Sequence, residues 1–286
     1  MAPERALVVR GSGPGGARLA VFLLLAAAGL WAALVLDLDP RRLWPGREGW
    51  QLGAEFFGRA LRPALAREGA DLPPDLPPLW WQATRAAWRT VSFAAAAMLP
   101  ALAGGLLLGF GGATAWWAGG RRSWLGPAVT AACRLASVGL RSVHELLWAV
   151  LLLAVFGVTP LAAVVALALP YAGTLGKIFA ELIDEAPRGP AGALRDAGAL
   201  PVQVFLFGLL PRALPDMTAY SLYRFECALR SAAVLGFFGF PTLGYYISAS
   251  FENLYYGEVW FYLYVLLALV AGVDWWSGAI RRRLGR

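Results

Sequence analysis

The run Ala193-Leu194-Arg195-Asp196-Ala197-Gly198-Ala199-Leu200-Pro201-Val202-Gln203-Val204-Phe205-Leu206-Phe207-Gly208-Leu209-Leu210-Pro211 separates two long apolar segments. It reads as two short helices with a turn at Gly198-Ala199-Leu200-Pro201. Residues 202–210 are strongly apolar, yet the nine positions between Pro201 and Pro211 are too few to cross a bilayer. A short apolar helix at a membrane edge is best explained as a docking element.

The surrounding chain supplies the membrane. Of its 286 residues, 59% are hydrophobic and only 15% charged, and the mean hydropathy is +0.58. A soluble domain of this length carries far more charge. Spans are predicted near 19–36, 89–117, 136–157, 160–181, 216–239 and 259–279. The first reads as uncleaved, because Trp31 to Leu36 prolongs it with large residues and no small-residue cleavage site follows. Six spans put both termini on one side. Arg5, Arg10 and Arg18, then Arg121 and Arg122, then Arg281, Arg282, Arg283 and Arg286 mark that side as cytoplasmic. The same clustering at membrane edges argues against nucleic-acid binding as the meaning of the +7 net charge.

Residues 37–87 then lie outside, with equal numbers of Arg and acidic residues. Asp71-Leu72-Pro73-Pro74-Asp75-Leu76-Pro77-Pro78 reads as a stiff linker into Trp80 and Trp81, which suit an interfacial belt. Residues 1–87 are accordingly taken as a first span plus external linker, and 88–286 as the main transmembrane domain. Tyr245 to Gly257 reads as an external or re-entrant stretch.

Three spans carry opposite charges four residues apart: Arg141 with Glu145, Lys177 with Glu181, and Glu226 with Arg230. That spacing puts each pair on one helical face. Charge in a bilayer is costly unless it meets a partner or a wet cavity, so the pairs imply a polar interior. Lys177–Glu181 and Arg141–Glu145 are placed toward the cytoplasmic side, and Glu226–Arg230 with Arg224 is placed deepest.

The loop and these spans together resemble a known family. Ala193 to Gly198, nine residues, and then Gly208-Leu209-Leu210-Pro211 is similar to the cytoplasmic loop of ABC-importer membrane subunits. That loop reads Glu-Ala-Ala, three residues, Gly, nine residues, Ile-x-Leu-Pro. Gly192 and Gly208 stand at the pattern's Glu and Ile. Gly139 to Ala149, Gly173 to Glu181, and Leu222-Tyr223-Arg224-Phe225-Glu226 with Arg230 to Gly236 resemble phosphonate/phosphite importer permeases, as do Asp274 and the Arg281–Arg283 tail. His144 stands where the family usually has Pro, and Gly239-Phe240-Pro241-Thr242-Leu243-Gly244 replaces a glycine-rich turn.

The resemblance implies an all-α, six-span, type I importer-like bundle with a cytoplasmic coupling loop over about 185–215. Ala193, Asp196, Ala197, Gly198, Leu210 and Pro211 would meet an ATPase. It implies two permeases, as a homodimer, with two cytoplasmic ATPases and an external binding protein in a bacterial inner membrane. The expected function is passage of a phosphonate or related phosphorus oxyanion; a different small solute and an intramembrane enzyme are the alternatives.

Candidate path residues are Tyr223, Arg224, Glu226, Arg230, Arg141 and Glu145. Arg presents a planar fork that suits oxyanions. Two readings stand for span five: one Arg lines the path while Glu226 neutralises the other, or the set fixes bundle geometry. The second is favoured because conduction forbids a deep anion trap.

No catalytic or metal site is expected. His144, the single histidine, lacks a Gly-x-Ser-x-Gly partner, and Cys133 and Cys227 have no ligand spacing. Gly-x-x-x-x-Gly-Lys-Ser/Thr does not occur, so ATP would be bound by a partner and the chain needs no cofactor. Gly11-Ser12-Gly13-Pro14-Gly15-Gly16 matches a dinucleotide fingerprint only formally, since no strand precedes it.

Overall fold

Leucine- and alanine-rich segments punctuated by Pro and Gly produce helices throughout a computed structural model, which describes residues 14–39, 44–69, 76–115 and 125–284. Arg5, Arg10, Arg121, Arg122, Arg286, the Asp71–Asp75 half of the linker and Gly11 to Gly13 lie outside the described residues. No strand occurs among those that are described.

The chain forms two units, 1–58 and 59–286. The first holds α1 (Pro14–Val35) and most of α2 (Arg47–Ala60). In α1 the apolar part is Leu19–Val35, shorter than the three long spans described next.

In the second unit three helices are long and apolar enough to cross a membrane, namely α3 (Leu79–Gly112), α6 (Pro160–Glu185) and α11 (Tyr256–Leu284). Two further candidates are bent pairs. The first joins α4 (Leu125–Ser142) to α5 (Glu145–Phe156) at 85°. The second joins the run Val204–Phe238 to α10 (Leu243–Glu252) at 46°. The described residues therefore hold three straight spans, or five when each bent pair counts as one. The first expected span, 19–36, falls on α1, whose apolar part is too short to count among these candidates.

Small residues decide how these helices meet. Without a hydrophobic drive between helices in lipid, close packing supplies the contact energy. Ala94, Ala97, Ala101, Gly105 and Gly109 form a buried stripe on α3. A Cβ on Gly105 would lie 2.6 Å from Leu175 Cβ, and one on Gly109 would lie 2.6 Å from Phe179 Cβ. Contacts rise together along both chains, so α3 and α6 run parallel. On α6, Gly173 abuts Leu140 and Gly176 abuts Ser137, so α4 runs antiparallel to it.

The predicted single span 136–157 is a broken one. His144 has extended backbone and N-caps α5, its Nδ1 accepting from Leu146 N at 3.3 Å. The end of α4 is closed by Trp148, whose indole Nε1 donates to Leu140 O at 3.2 Å. These bonds satisfy backbone groups that a break inside a membrane would otherwise leave without partners.

The loop between α6 and the next span also departs from expectation. A short α7 (Gly189–Asp196) precedes the elbow at Gly198, as predicted, and α8 (Pro201–Gln203) follows. Residues 204–209 are wound as a π-helix that runs without a break into α9 (Leu210–Val234). They are not a separate element bounded by prolines. Pro211 cannot donate to a carbonyl one turn back and its ring would crowd that turn. The wider π winding before it and its place in the first turn of α9 remove both conflicts.

Gly239-Phe240-Pro241-Thr242-Leu243-Gly244 forms the corner between α9 and α10. Gly239 has φ 90°. A Cβ on Gly236 would strike Tyr245 N, and one on Gly244 would strike Ala233 O. Thr242 Oγ1 donates to Ala233 O at 3.0 Å, and Leu243 N donates to Thr90 Oγ1 at 3.1 Å, which pins the corner to α3.

Candidate functional site

The break between α4 and α5 faces the middle of α6. Around it lies a cavity of about 180 Å³ lined by Arg141, Val143, His144, Glu145, Pro170, Tyr171, Thr174 and Arg224. Pro170 to Thr174 stand near the midpoint of α6, so this polar space is remote from either end of that span. A helix end, two guanidinium groups and one carboxylate converge there.

The Arg224 guanidinium carbon sits 5.2 Å from the ring centre of Tyr171 and 5.9 Å from that of Tyr220. Both contacts are cation–π in geometry. Its Nε is buried and lacks a hydrogen-bond partner among the described residues. A buried donor without a partner costs stability. Arg141 makes no ion pair among the described residues. Glu145 is held by Ser231, whose Oγ donates to Oε1 at 2.8 Å. That leaves Ser231 to accept from Tyr171 OH at 3.0 Å. The other carboxylate oxygen is 3.6 Å from His144 Nε2.

The structure thus gathers Arg141, Glu145 and Arg224 from the sequence-derived candidates and separates the rest. Arg141 and Glu145 do not pair one turn apart, because the bend at Ser142–His144 ends the shared face. They lie level with the middle of α6. Glu226 and Arg230 do not pair either. Buried Glu226 meets Arg281 at 3.2 Å and accepts from Ser277 Oγ, both on α11, and Arg281 also reaches Asp274 at 3.5 Å. Arg230 is exposed and only approaches Cys227 Sγ, at 3.5 Å. Tyr223 is exposed beside Tyr220 and does not line the cavity. Lys177 and Glu181 do pair, at 3.1 Å.

His144, Tyr171, Thr174 and Ser231 were not singled out as path residues. Tyr171 and Thr174 carry a faint signal, as polar groups three apart inside an apolar helix.

At the loop, Ala193, Asp196, Ala197 and Gly198 are exposed, and Leu210 and Pro211 open α9. Gly198 has φ 80°, a left-handed elbow that glycine adopts freely. Beneath it, α7 packs on the π segment, where a Cβ on Gly208 would lie 3.1 Å from Ala191 Cα. A hub ties this end together. Asp184 accepts from Thr114 N and Ala115 N, both at 2.7 Å, and meets Arg134 at 3.3 Å, while Arg195 donates to Ala115 O.

Comparison with known proteins agrees with this arrangement. The chain is 37% identical over 156 residues to the phosphite transport system permease protein PtxC of Stutzerimonas stutzeri, covering 54% of this chain and 57% of that one. It is 35% identical over 158 residues to the phosphate-import permease protein PhnE of Mycolicibacterium smegmatis, covering 55% and 30%. The chain therefore spans little more than half of one relative and under a third of the other. Among solved structures, a chain of the MetNI methionine ABC transporter in an inward-facing conformation superposes with a TM-score of 0.62 at 21% identity, covering 73% of this chain and 98% of that one. That likeness shows the fold. Residues 111–286, which include the broken span, the elbow and the cavity, match one family over more than half of the chain, and the protein belongs to it: the binding-protein-dependent transport system inner membrane component family.

Proposed function

We propose that the chain is the membrane permease subunit of an ATP-driven importer for a phosphonate or related phosphorus oxyanion, and that the mid-bundle cavity lies on the solute path. The observation that carries this reading is the broken span. Discontinuous helices that turn a helix start toward a mid-membrane cavity suit anionic solutes, because the helix dipole favours negative charge there. Here the start of α5, Arg141 and Arg224 surround one space. Glu145 offsets part of their charge, which keeps the site from holding an anion too tightly to release it. The relatives named for phosphite and phosphate transport support this class of solute.

The partners follow from the same reading. Cytoplasmic ATPases bind at Ala193, Asp196, Ala197, Gly198, Leu210 and Pro211, and hydrolyse the ATP. An external binding protein delivers solute, a second copy of the chain completes the bundle, and both termini face the cytoplasm. ATPase closure pushes on residues 185–215 and switches access between the two sides.

Cells lacking the chain but retaining its ATPase and binding protein are expected to lose uptake of labelled phosphite and phosphonate. Undiminished uptake of both would sink the oxyanion reading. Retention of an unrelated solute by the partner binding protein would redirect it to another small molecule.

A further inference from the structure

A second cavity, of about 240 Å³, opens between α3, α4 and α6. Leu108 and Val138 give it apolar walls, and Arg134, Arg141, Lys177 and Glu181 supply its charge. The helix faces of Gly112, Gly176 and Ala180 leave it room. Its position along the bundle is fixed by the parallel pair: Leu108 and Gly112 close α3, and Lys177 and Glu181 occupy the last turns of α6. It therefore sits at the end of the bundle that carries α7, below the polar cavity.

The charges do not cancel. Lys177 pairs with Glu181 at 3.1 Å, and Arg134 with Asp184 at 3.3 Å. Arg141 is left without an ion-pair partner among the described residues, so one positive charge remains in excess. An apolar cleft with one cation in excess matches a molecule with one anionic head and greasy chains. Basic pockets between spans on the cytoplasmic side take anionic lipid head groups for this reason.

We propose that this cleft binds one anionic phospholipid, its phosphate against Arg141, Lys177 and Arg134 and its acyl chains against Leu108 and Val138. A bound lipid would brace α4 against α6 beside Asp184, where the α7 end is tied to α3. The proposal does not depend on which solute is carried. A free phosphorus oxyanion shares the phosphate chemistry and lacks the chains, so the two sources can be told apart.

The test is native mass spectrometry of the purified full chain from mixed micelles holding equal phosphatidylglycerol and phosphatidylcholine. Wild type is expected to retain one phosphatidylglycerol over phosphatidylcholine by about fivefold, the scale of one extra basic residue near a membrane surface. Lys177→Gln removes the excess charge and is expected to bring the ratio near one. Lys177→Gln with Glu181→Gln restores the excess and is expected to restore the preference, which separates charge from misfolding. Inorganic phosphate at millimolar concentration is expected to leave the bound lipid in place. Equal retention by wild type, an unchanged ratio in Lys177→Gln, or displacement by inorganic phosphate would each overturn the proposal.

Discussion

Arg224 and Arg230 stand six positions apart on α9 and have opposite surroundings. Arg224 is held between Tyr171 and Tyr220 with a buried Nε left open, whereas Arg230 is exposed. Arg230→Ala is therefore expected to change stability by less than about 0.5 kcal/mol and to leave uptake intact. Glu226→Gln breaks the contact with Arg281 and Ser277, and is expected to cost about 1–3 kcal/mol. Thermal unfolding of the purified variants checks both values. A silent Glu226→Gln would mean that Arg281 finds solvent at no cost. Spacing in the sequence showed that these residues carry charge, and a helical wheel grouped Glu226 with Arg230. It could not show that Glu226 turns to a helix some fifty residues later, because that choice is made by packing between helices and leaves no local period.

Elements were more legible than partners. Pro and Gly placed the elbow at Gly198, and hydropathy placed α6 and α11. The break between α4 and α5 is hidden in the sequence, since no Pro falls within residues 136–157 and Arg141 and Glu145 read there as a pair on one helical face. The departure at His144 held the signal, because a proline, which the resemblance would put there, marks a place where a helix starts afresh. His144 has φ −64°, which a proline ring adopts unstrained. His144→Pro gives up the cap on Leu146 N but stiffens the unfolded chain, so it is expected to cost no more than about 2 kcal/mol. A proline in a continuous helix would cost about 3 kcal/mol, so a large drop in melting temperature would argue for an unbroken span. At the elbow, Gly198→Leu forces a branched residue into a left-handed backbone, a strain of about 1–2 kcal/mol. The variant is expected to insert normally yet hydrolyse ATP in its complex without uptake. Uptake at the wild-type rate would count against the coupling role.

For the whole molecule, a parallel pair of helices packed on small residues holds the polar cavity in register. Gly109→Leu places a large side chain where a Cβ alone would already lie 2.6 Å from Phe179 Cβ, inside van der Waals contact. It is expected to cost at least about 1–3 kcal/mol and to lower the yield of folded protein in detergent, read by size-exclusion chromatography. The order of the spans could be read from hydropathy along the chain, since a bilayer demands long apolar runs, whereas their breaks and exact lengths could not. The place where charges meet could not, because α4–α5, α6 and α9 bring their residues together only once folded. The central claim is that this meeting point carries the solute. ATP-driven accumulation of labelled phosphite or phosphonate in proteoliposomes, with the partner ATPase and binding protein supplied, tests it most directly when wild type is compared with Arg224→Ala at equal incorporation. Loss of a charge-assisted contact to the passing anion is expected to slow accumulation by about tenfold or more; accumulation by Arg224→Ala at the wild-type rate would contradict it.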